Sequence, residues 1–486
     1  VRILVRLSGD LSTKARNTRK RFTQRLVENL QDALESTGSA FTIERSWSRL
    51  TVETDDASAL ETCTRVFGVQ SVSPVARHEW DDLEGLVAFA AGHFAPSVEG
   101  RRFAVRARRG GSSVESIPFN SGDVERELGT ALLPRARGVD LDDPEVTAAV
   151  EIRQRHADLF TDIVGGPGGL PIGVEGSALA LVSGGFDSGV ASWLMLKRGL
   201  SLDYLFFNLG GLAHEVGALR VIKVIADRWS YGDRPRLFLV DLRPAVESLK
   251  GTVTPRYWQV ILKRLMLIAA DRLARGSRYA ALVTGEAVGQ VSSQTLQNLA
   301  VISAATRLPI LRPLVGFNKD EIVERARAIG TFDLSAAVGE YCAILPRNPA
   351  THSRLGVVEA EESRVDMDLV AQAVDTLRSV DLRDLDPEAI GAEQLEIDHV
   401  PDDATVIDLR SRAAFEAWHY PEALFLDYGQ ALRSYGSFRK DRRYLLYCEV
   451  GLKSAHLAEL MQSEGFVAHH VRGGVRQLQR PRLHCS

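Results

Sequence analysis

The chain opens on a run that alternates apolar and basic positions. Residues 2–7 (RILVRL) predict a strand, 12–36 a basic helix, 41–54 (FTIERSWSRLTVET) one or two strands and 56–67 a further helix. The stretch GRRFAVRARRGG (100–111) repeats the period of two. Phe103, Val105 and Ala107 are expected to face a core, and Arg102, Arg106 and Arg108 to line the opposite side. A helix comes next, from a predicted N-cap at Ser121, and EVTAAVEI predicts a strand. These segments make two small α+β modules, which end at the turn-rich joint GGPGGLPIG (165–173). Beyond the joint, strands (SALALV, LDYLFFNL, RLFLVDL, YAALVTG, ILRPL) alternate with helices (GVASWLMLKRG, HEVGALRVIKVIADRWS, WQVILKRLMLIAADRLARG, KDEIVERARAIG). That order predicts a doubly wound parallel α/β sheet. Residues 359–400 are acidic with weak periodicity and are expected to form a linker with one or two helices. TVIDLR, RRYLLYC and FVAHHV then predict a last short α/β domain.

The 486 residues exceed what one hydrophobic core serves, so several domains are expected. No apolar run reaches the ~20 residues of a membrane span, so no membrane partner is expected. Four cysteines, at 63, 342, 448 and 485, are too few for a disulfide framework and lack the paired spacing of zinc sites. A reducing cytoplasmic setting is expected. The net charge of −4 hides an asymmetry. Residues 1–25 hold eight basic side chains, Lys14, Arg19 and Lys20 among them, against the single acid Asp10, while 359–408 hold sixteen acids against three arginines. The basic helix alone fits a solvated face. With the arginine-lined strand of the second module it points to a polyanion such as a nucleic acid.

Between SALALV and the helix after it lies SGGFDS (183–188). It is too short for a Walker loop, with Gly189 where a lysine would be wanted, and it has no GxGxxG. A compact glycine turn opening a helix can hold a pyrophosphate-sized anion on its amides and hydroxyls. A carboxylate there makes sense if Asp187 handles Mg²⁺, though a plain helix cap is also open. Cys448 ends a strand and precedes a glycine-containing loop and a helix. Such a loop turns successive amides and a helix dipole toward the thiolate, which lowers a cysteine pKa from ~8.5.

SGGFDS resembles the signature of the PP-loop ATP pyrophosphatases, which cleave ATP between the α and β phosphates. GGFDSGVASWLMLKRG, FFNLGGLAHEVG, VILKRLM, LVTGEAVGQVSSQTLQNL, ILRPLVGFNKDEI and EYCAI together resemble the tRNA 4-thiouridine synthetases, or tRNA sulfurtransferases, over nearly the whole chain. The resemblance implies a ferredoxin-like domain (1–58), a THUMP tRNA-binding domain (59–165), a PP-loop domain (166–355), an acidic linker (356–395) and a rhodanese-like domain (396–486). It implies an ATP site made by Leu181, Val182, Ser183, Gly184, Gly185, Phe186, Asp187, Ser188, Lys263, Gly285 and Gln294, with Lys319 as a phosphate or transition-state cation. Without the resemblance, Lys263 and Lys319 would read as surface helix lysines.

The loop at Cys448 resembles the rhodanese active loop, whose cysteine carries a persulfide. Asp408 and Arg410 in VIDLR, and Gly473 and Gly474 in HVRGGV, fit that domain. Two departures stand out: Val450 and Lys453 occupy places where arginine is frequent. In the family a cysteine at the place of Cys342 forms a disulfide with the rhodanese cysteine during turnover. Cys63 reads as core, and Cys485 as an unremarkable tail thiol.

The activity implied is ATP-dependent conversion of tRNA uridine-8 to 4-thiouridine. Cys448, Cys342, Asp187 and Lys319 would be catalytic, and Arg102, Arg106, Arg108, Lys14, Arg19 and Lys20 would bind tRNA. ATP and Mg²⁺ are the implied cofactors, with no metal site built from protein alone. A cysteine desulfurase is the implied sulfur donor. The resemblance leaves open a thiocarboxylate sulfur-carrier protein of thiamine synthesis as second acceptor, and a homodimer. The alternatives are a PP-loop tRNA-modifying ligase without a sulfur relay, and a tRNA-binding module with an inactive nucleotide site.

Overall fold

The structure, a computed structural model, describes the chain except residues 47–48, 111–116, 339–347, 387–394 and 480–486. Cys342 and Cys485 therefore lie outside the described residues. The chain divides into two units. One is Val1–Val174 with Lys197–Gly199 and Tyr231–Asp233; the other is Glu175–Leu196, Leu200–Ser230 and Arg234–Ser486.

The first unit begins with β1 (Arg2–Leu7), helix α1 (Arg16–Glu35), the hairpin β2 (Phe41–Arg45) and β3 (Arg49–Thr54), α2 (Ala59–Cys63) and β4 (Val69–Pro74). β1 lies between β3 and β4, antiparallel to both. α1 turns Phe22, Leu26, Leu30 and Leu34 onto Ile3, Val5, Leu50 and Val52, while Arg16, Lys20 and Arg21 are exposed. The joint expected at residue 58 falls inside this module, because α2 and β4 complete the same sheet and core. Cys63 is fully buried there, and burial pushes its thiol up to about 12.

The second module holds β5 (Ala76–Glu79), α3 (Leu83–Val98), β6 (Arg102–Arg109), α4 (Ser121–Leu132), β7 (Gly138–Val139), β8 (Val146–Ile152) and β9 (His156–Phe160), in sheet order β5-β9-β8-β6-β7. Phe103, Val105 and Ala107 face the core as their alternation requires, and Arg102, Arg106 and Arg108 are exposed. Helix α4 is capped by Asn120 and not by Ser121, because Asn120 has Asp123 three residues on and the two close a capping box. β10 (Val164–Gly165) then joins β4 in the first sheet.

The second unit carries β11 (Ser177–Val182), α5 (Phe186–Lys197), β12 (Ser201–Asn208), α6 (Leu212–Trp229), β13 (Arg236–Asp241), α7 (Arg243–Thr252), α8 (Trp258–Ala274), β14 (Tyr279–Val283), α9 (Leu296–Ser303), β15 (Ile310–Leu311), α10 (Lys319–Ile329) and α11 (Phe332–Ala337). These five strands are parallel. From β11 the chain winds outward through β12 to β13, and then crosses to β14 and β15 on the other side. The carboxyl end of β11 is thus the switch point, where ligands of such sheets bind.

The described part of the acidic stretch holds the two helices expected of it, and it is packed onto the parallel sheet. It forms α12 (Leu355–Glu362), α13 (Met367–Asp375) and an antiparallel edge strand, β16 (Arg378–Asp381), on β13. Val358, Val370 and Val374 enter the core of the parallel sheet. The acids find cations far away in sequence. Arg264 donates to both Glu362 oxygens at 2.6 and 2.9 Å, and Arg272 pairs with Asp375 at 2.9 Å. The Arg264–Glu362 pair is largely buried. Arg264→Ala, which leaves the carboxylate without its partner, is expected to cost about 3–5 kcal/mol. A denaturant midpoint equal to wild type would show that this segment does not stabilise the domain.

The last module is a parallel sheet of β17 (Glu396–Ile397), β18 (Ala404–Asp408), β19 (Leu424–Phe425), β20 (Arg443–Tyr447) and β21 (Val467–Val471), ordered β17-β21-β20-β18-β19, with helices α14 (Tyr428–Ser434) and α15 (Leu452–Ser463). Asp408 is fully buried and held by Arg410 and the Tyr447 hydroxyl, each at 2.7 Å. No described helix is long and apolar enough to cross a membrane.

Candidate functional site: a glycine loop and a cysteine loop on one helix

Leu181 and Val182 end β11, and residues 183–188 turn directly into α5. The turn is closed from within. The Ser183 amide donates to Ser188 Oγ at 3.3 Å, and that hydroxyl donates to the Gly185 carbonyl at 3.2 Å. Gly184 adopts φ +78° beside α6, where a Cβ would lie 2.9 Å from Ala218 Cα. The Phe186 ring packs 5.4 Å from Phe332. Gly285, just past β14, approaches the loop from the other side, with its would-be Cβ 2.7 Å from the Asp187 carbonyl carbon. Gly285→Ala must therefore push the loop away. We expect nucleotide binding by calorimetry to weaken at least about tenfold, since ångström-scale misplacement is costly. Wild-type affinity would show that the loop tolerates displacement.

Asp187 is not a bare helix cap. One carboxylate oxygen accepts from Lys319 Nζ and the other from Gln290 Nε2, both at 3.1 Å. Lys319, the first residue of α10, also lies 5.3 Å from the Phe186 ring centroid. Lys263 points inward as well, to Glu286 at 2.9 Å. Arg312 meets the other Glu286 oxygen at 2.8 Å. Burial alone would raise the Glu286 carboxyl, but Lys263 and Arg312 outweigh it and hold it below the usual carboxylate range. Gln294 is buried, and its Oε1 has no hydrogen-bond partner among the described residues. An orphaned acceptor of this kind suits a ligand donor. No group of three or more acidic, histidine or cysteine side chains that could hold a metal ion occurs among the described residues. One carboxylate together with ligand phosphates is a usual Mg²⁺ environment, so Asp187 fits the ion as a partner shared with a nucleotide. Gln290, Glu286 and Arg312 are site residues that sequence reasoning does not single out. The first two lie inside LVTGEAVGQVSSQTLQNL, around Gly285 and Gln294, which was the available signal.

Cys448 follows β20 and is 3% exposed, with Ser454 Oγ 3.5 Å from its sulfur. Lys453 turns over the Tyr428 ring at 5.8 Å. The Cys448 loop lies against α6. The Val450 carbonyl accepts from Arg220 Nη1 at 3.3 Å, and a Cβ on Gly217 would lie 3.9 Å from Leu452. Glu459 of α15 caps α6, accepting from the amides of Leu212 at 2.7 Å and Ala213 at 3.0 Å. His214 is held neutral at about 4, by burial first; it also bonds the Ser183 backbone and feels His456. His456, lowered to about 4 by burial, bonds the Tyr428 hydroxyl. Burial and the nearby Cys448 raise that phenol to about 12.

In the first unit, Lys20 and Arg21 of α1 share a groove with Arg45 of β2. Arg102 is paired with Asp140 at 2.7 Å, and Arg106 donates to the Leu141 carbonyl. Arg6, Arg49 and Arg153 crowd one carboxylate, Glu151, at 3.5, 3.6 and 3.7 Å. Burial pulls the Arg6 guanidinium below its usual range, Glu151 pulls it back, and Arg49 and Arg108 add to the lowering. No local sequence signal marks Arg6, Arg49 or Arg153, because strands from both modules bring them together.

Four family models match the chain: ThiI ferredoxin-like domain over residues 2–73, THUMP domain over 79–162, Thiamine biosynthesis protein (ThiI) over 173–367, and Rhodanese-like domain over 393–480. The chain is 36% identical over 476 residues to a tRNA sulfurtransferase of Desulfurococcus amylolyticus, which covers 97% of each protein. It is 46% identical over 353 residues to a probable tRNA sulfurtransferase of Aeropyrum pernix, covering 71% of this chain and 88% of that one. Among solved structures it is similar to a 4-thiouridine synthetase–RNA complex with bound ATP. The TM-score is 0.69 at 29% identity, over 78% of this chain and 99% of that chain.

Proposed function

The chain belongs to the tRNA sulfurtransferase family, and from that premise we propose that it converts uridine-8 of tRNA to 4-thiouridine through an adenylate and a Cys448 persulfide. The observation that carries this reading is that one helix contacts both the glycine loop and the cysteine loop. α6 meets the nucleotide loop at Ala218 and the cysteine loop at Gly217 and Arg220, within about one turn. A ligase without a sulfur relay has no use for that second contact.

In the proposed sequence, uracil O4 attacks the α-phosphorus of ATP, the α–β anhydride breaks and pyrophosphate leaves. The loop amides and Lys319 hold the phosphates, and Asp187 would hold Mg²⁺, which supplies charge neutralisation there. The outer sulfur of the Cys448 persulfide, loaded by a cysteine desulfurase, bonds to C4, and O4 departs with AMP. Cys342 then attacks the Cys448 sulfur. The S–S link to the base breaks, sulfur stays on C4, and a Cys342–Cys448 disulfide forms, which a thiol reductant reopens with two electrons. The same persulfide would attack the acyl-adenylate of a sulfur carrier of thiamine synthesis, AMP would depart, and Cys342 would again break the S–S link to free the sulfur.

The experiment is pyrophosphate release by the purified protein with ATP, Mg²⁺ and tRNA. Release that depends on tRNA is expected; none would favour an inactive nucleotide site. For tRNA binding we propose Lys14, Arg19, Lys20, Arg102, Arg106 and Arg108, joined by the arginines around Glu151. Arg102 is already paired, so the triple replacement of Arg102, Arg106 and Arg108 should remove about two phosphate contacts. The slope of log K against log salt is expected to fall by about 1–2 units. An unchanged slope would move the RNA surface elsewhere.

A further inference from the structure

The Cys448 loop reads Glu449, Val450, Gly451, Leu452, Lys453, Ser454, and its one cation, Lys453, lies over the Tyr428 ring. A persulfide anion is a sulfur nucleophile that has to be held by positive charge and donors until its target arrives. Within the loop itself Lys453 is the one cation, and a further cation reaches the loop from outside the module. Arg220 stands on α6 of the parallel-sheet domain, with its side chain 16% exposed. It donates to the Val450 carbonyl at 3.3 Å and lies 3.7 Å from Glu396, the buried acid at the start of the cysteine module. Its charge is opposed by burial and supported by Glu396 and by Cys448. Glu396 is also bonded by Arg472 at 2.8 Å, so it does not cancel Arg220 alone.

We propose that Arg220 is a positioning residue for the Cys448 persulfide, supplied by the nucleotide-binding domain at the place in the loop that Val450 leaves uncharged. The loop is then electrostatically complete only while the cysteine module is seated on α6. Glu459 is the latch of that seat, since its carboxylate holds two amides at the start of α6, and a Cβ at Gly211 would lie 2.4 Å from it. With Cys448 3% exposed, the seated arrangement delivers sulfur inward, and an external donor reaches the thiol only when the seat opens. This inference rests on the reading that Cys448 carries the sulfur.

The test uses the full chain. Cys448 is loaded with labelled sulfur by a cysteine desulfurase and labelled cysteine. Transfer to tRNA in the presence of ATP is then followed in a single turnover. Arg220→Ala is expected to load with sulfur and release pyrophosphate as wild type does, but to transfer label at least about tenfold more slowly, the scale of a lost charge-assisted hydrogen bond. Arg220→Lys, which keeps the charge, should recover most of that rate. Glu459→Gln, which weakens the seat from the opposite side, should slow transfer and speed alkylation of Cys448 by a bulky maleimide. Wild-type transfer rates in Arg220→Ala, or equal losses in Arg220→Ala and Arg220→Lys, would overturn the role. Should Arg220→Ala fail to load or to release pyrophosphate, Glu459→Gln decides: unchanged transfer and unchanged alkylation would refute the seated delivery state. Full thiolation by Cys448→Ser would instead refute the underlying sulfur reading, whatever Arg220 does.

Discussion

Asp187→Ala is expected to reduce tRNA-dependent pyrophosphate release by about two to three orders of magnitude, the scale seen when a group that stabilises developing charge is removed. tRNA affinity should stay within about twofold. The carboxylate stands at the start of α5, bonded to Lys319 and Gln290, in a unit separate from the arginines proposed to bind RNA. Its removal also frees Lys319, whose ammonium would still meet phosphate. Nucleotide affinity should therefore fall less than turnover. Lys319→Ala should show the opposite emphasis on binding. Normal pyrophosphate release by Asp187→Ala would remove the carboxylate from the chemistry and return it to the role of a helix-end residue.

Cys448→Ser should still adenylate tRNA but carry no persulfide and form no thiouridine from a desulfurase donor. The nucleotide loop is closed by Ser183, Gly185 and Ser188, none of which touches the cysteine, so the first half-reaction should survive. Cys342→Ser should accept sulfur on Cys448 and then stall, because no second thiol remains to break the S–S link to the base. After denaturing separation, label is expected on the protein in Cys342→Ser and on neither protein nor tRNA in Cys448→Ser. Label on Cys342 but never on Cys448 would reverse the two roles.

The parts legible in the sequence are those whose cause is local. SGGFDS announces its turn because its glycines, hydroxyls and helix start lie within six residues, and the structure closes the turn with bonds inside that span. The alternation at 102–108 places Phe103, Val105 and Ala107 inward for the same reason. What was not legible depends on partners far along the chain. The acids after residue 355 look self-repelling until Arg264 and Arg272 are brought to them by α8. Read as a linker, they say nothing of where the cysteine loop sits. The structure instead seats that loop on α6 through Arg220 and Glu459, contacts across more than two hundred residues. Lys319 shows the boundary between the two cases. The helix KDEIVERARAIG was readable and the structure adds the Asn318–Glu321 capping box at its start, but the contact of Lys319 with Asp187 was not readable.

The most direct measurement of the proposed sulfur transfer is nucleoside mass spectrometry of tRNA from cells with and without this protein, with the Asp187→Ala and Cys448→Ser variants supplied in place of the wild type. The prediction is 4-thiouridine with the wild-type protein only, its loss in cells lacking the protein, and no recovery with either variant. Undiminished 4-thiouridine in cells lacking the protein, or full recovery with Cys448→Ser, would contradict it.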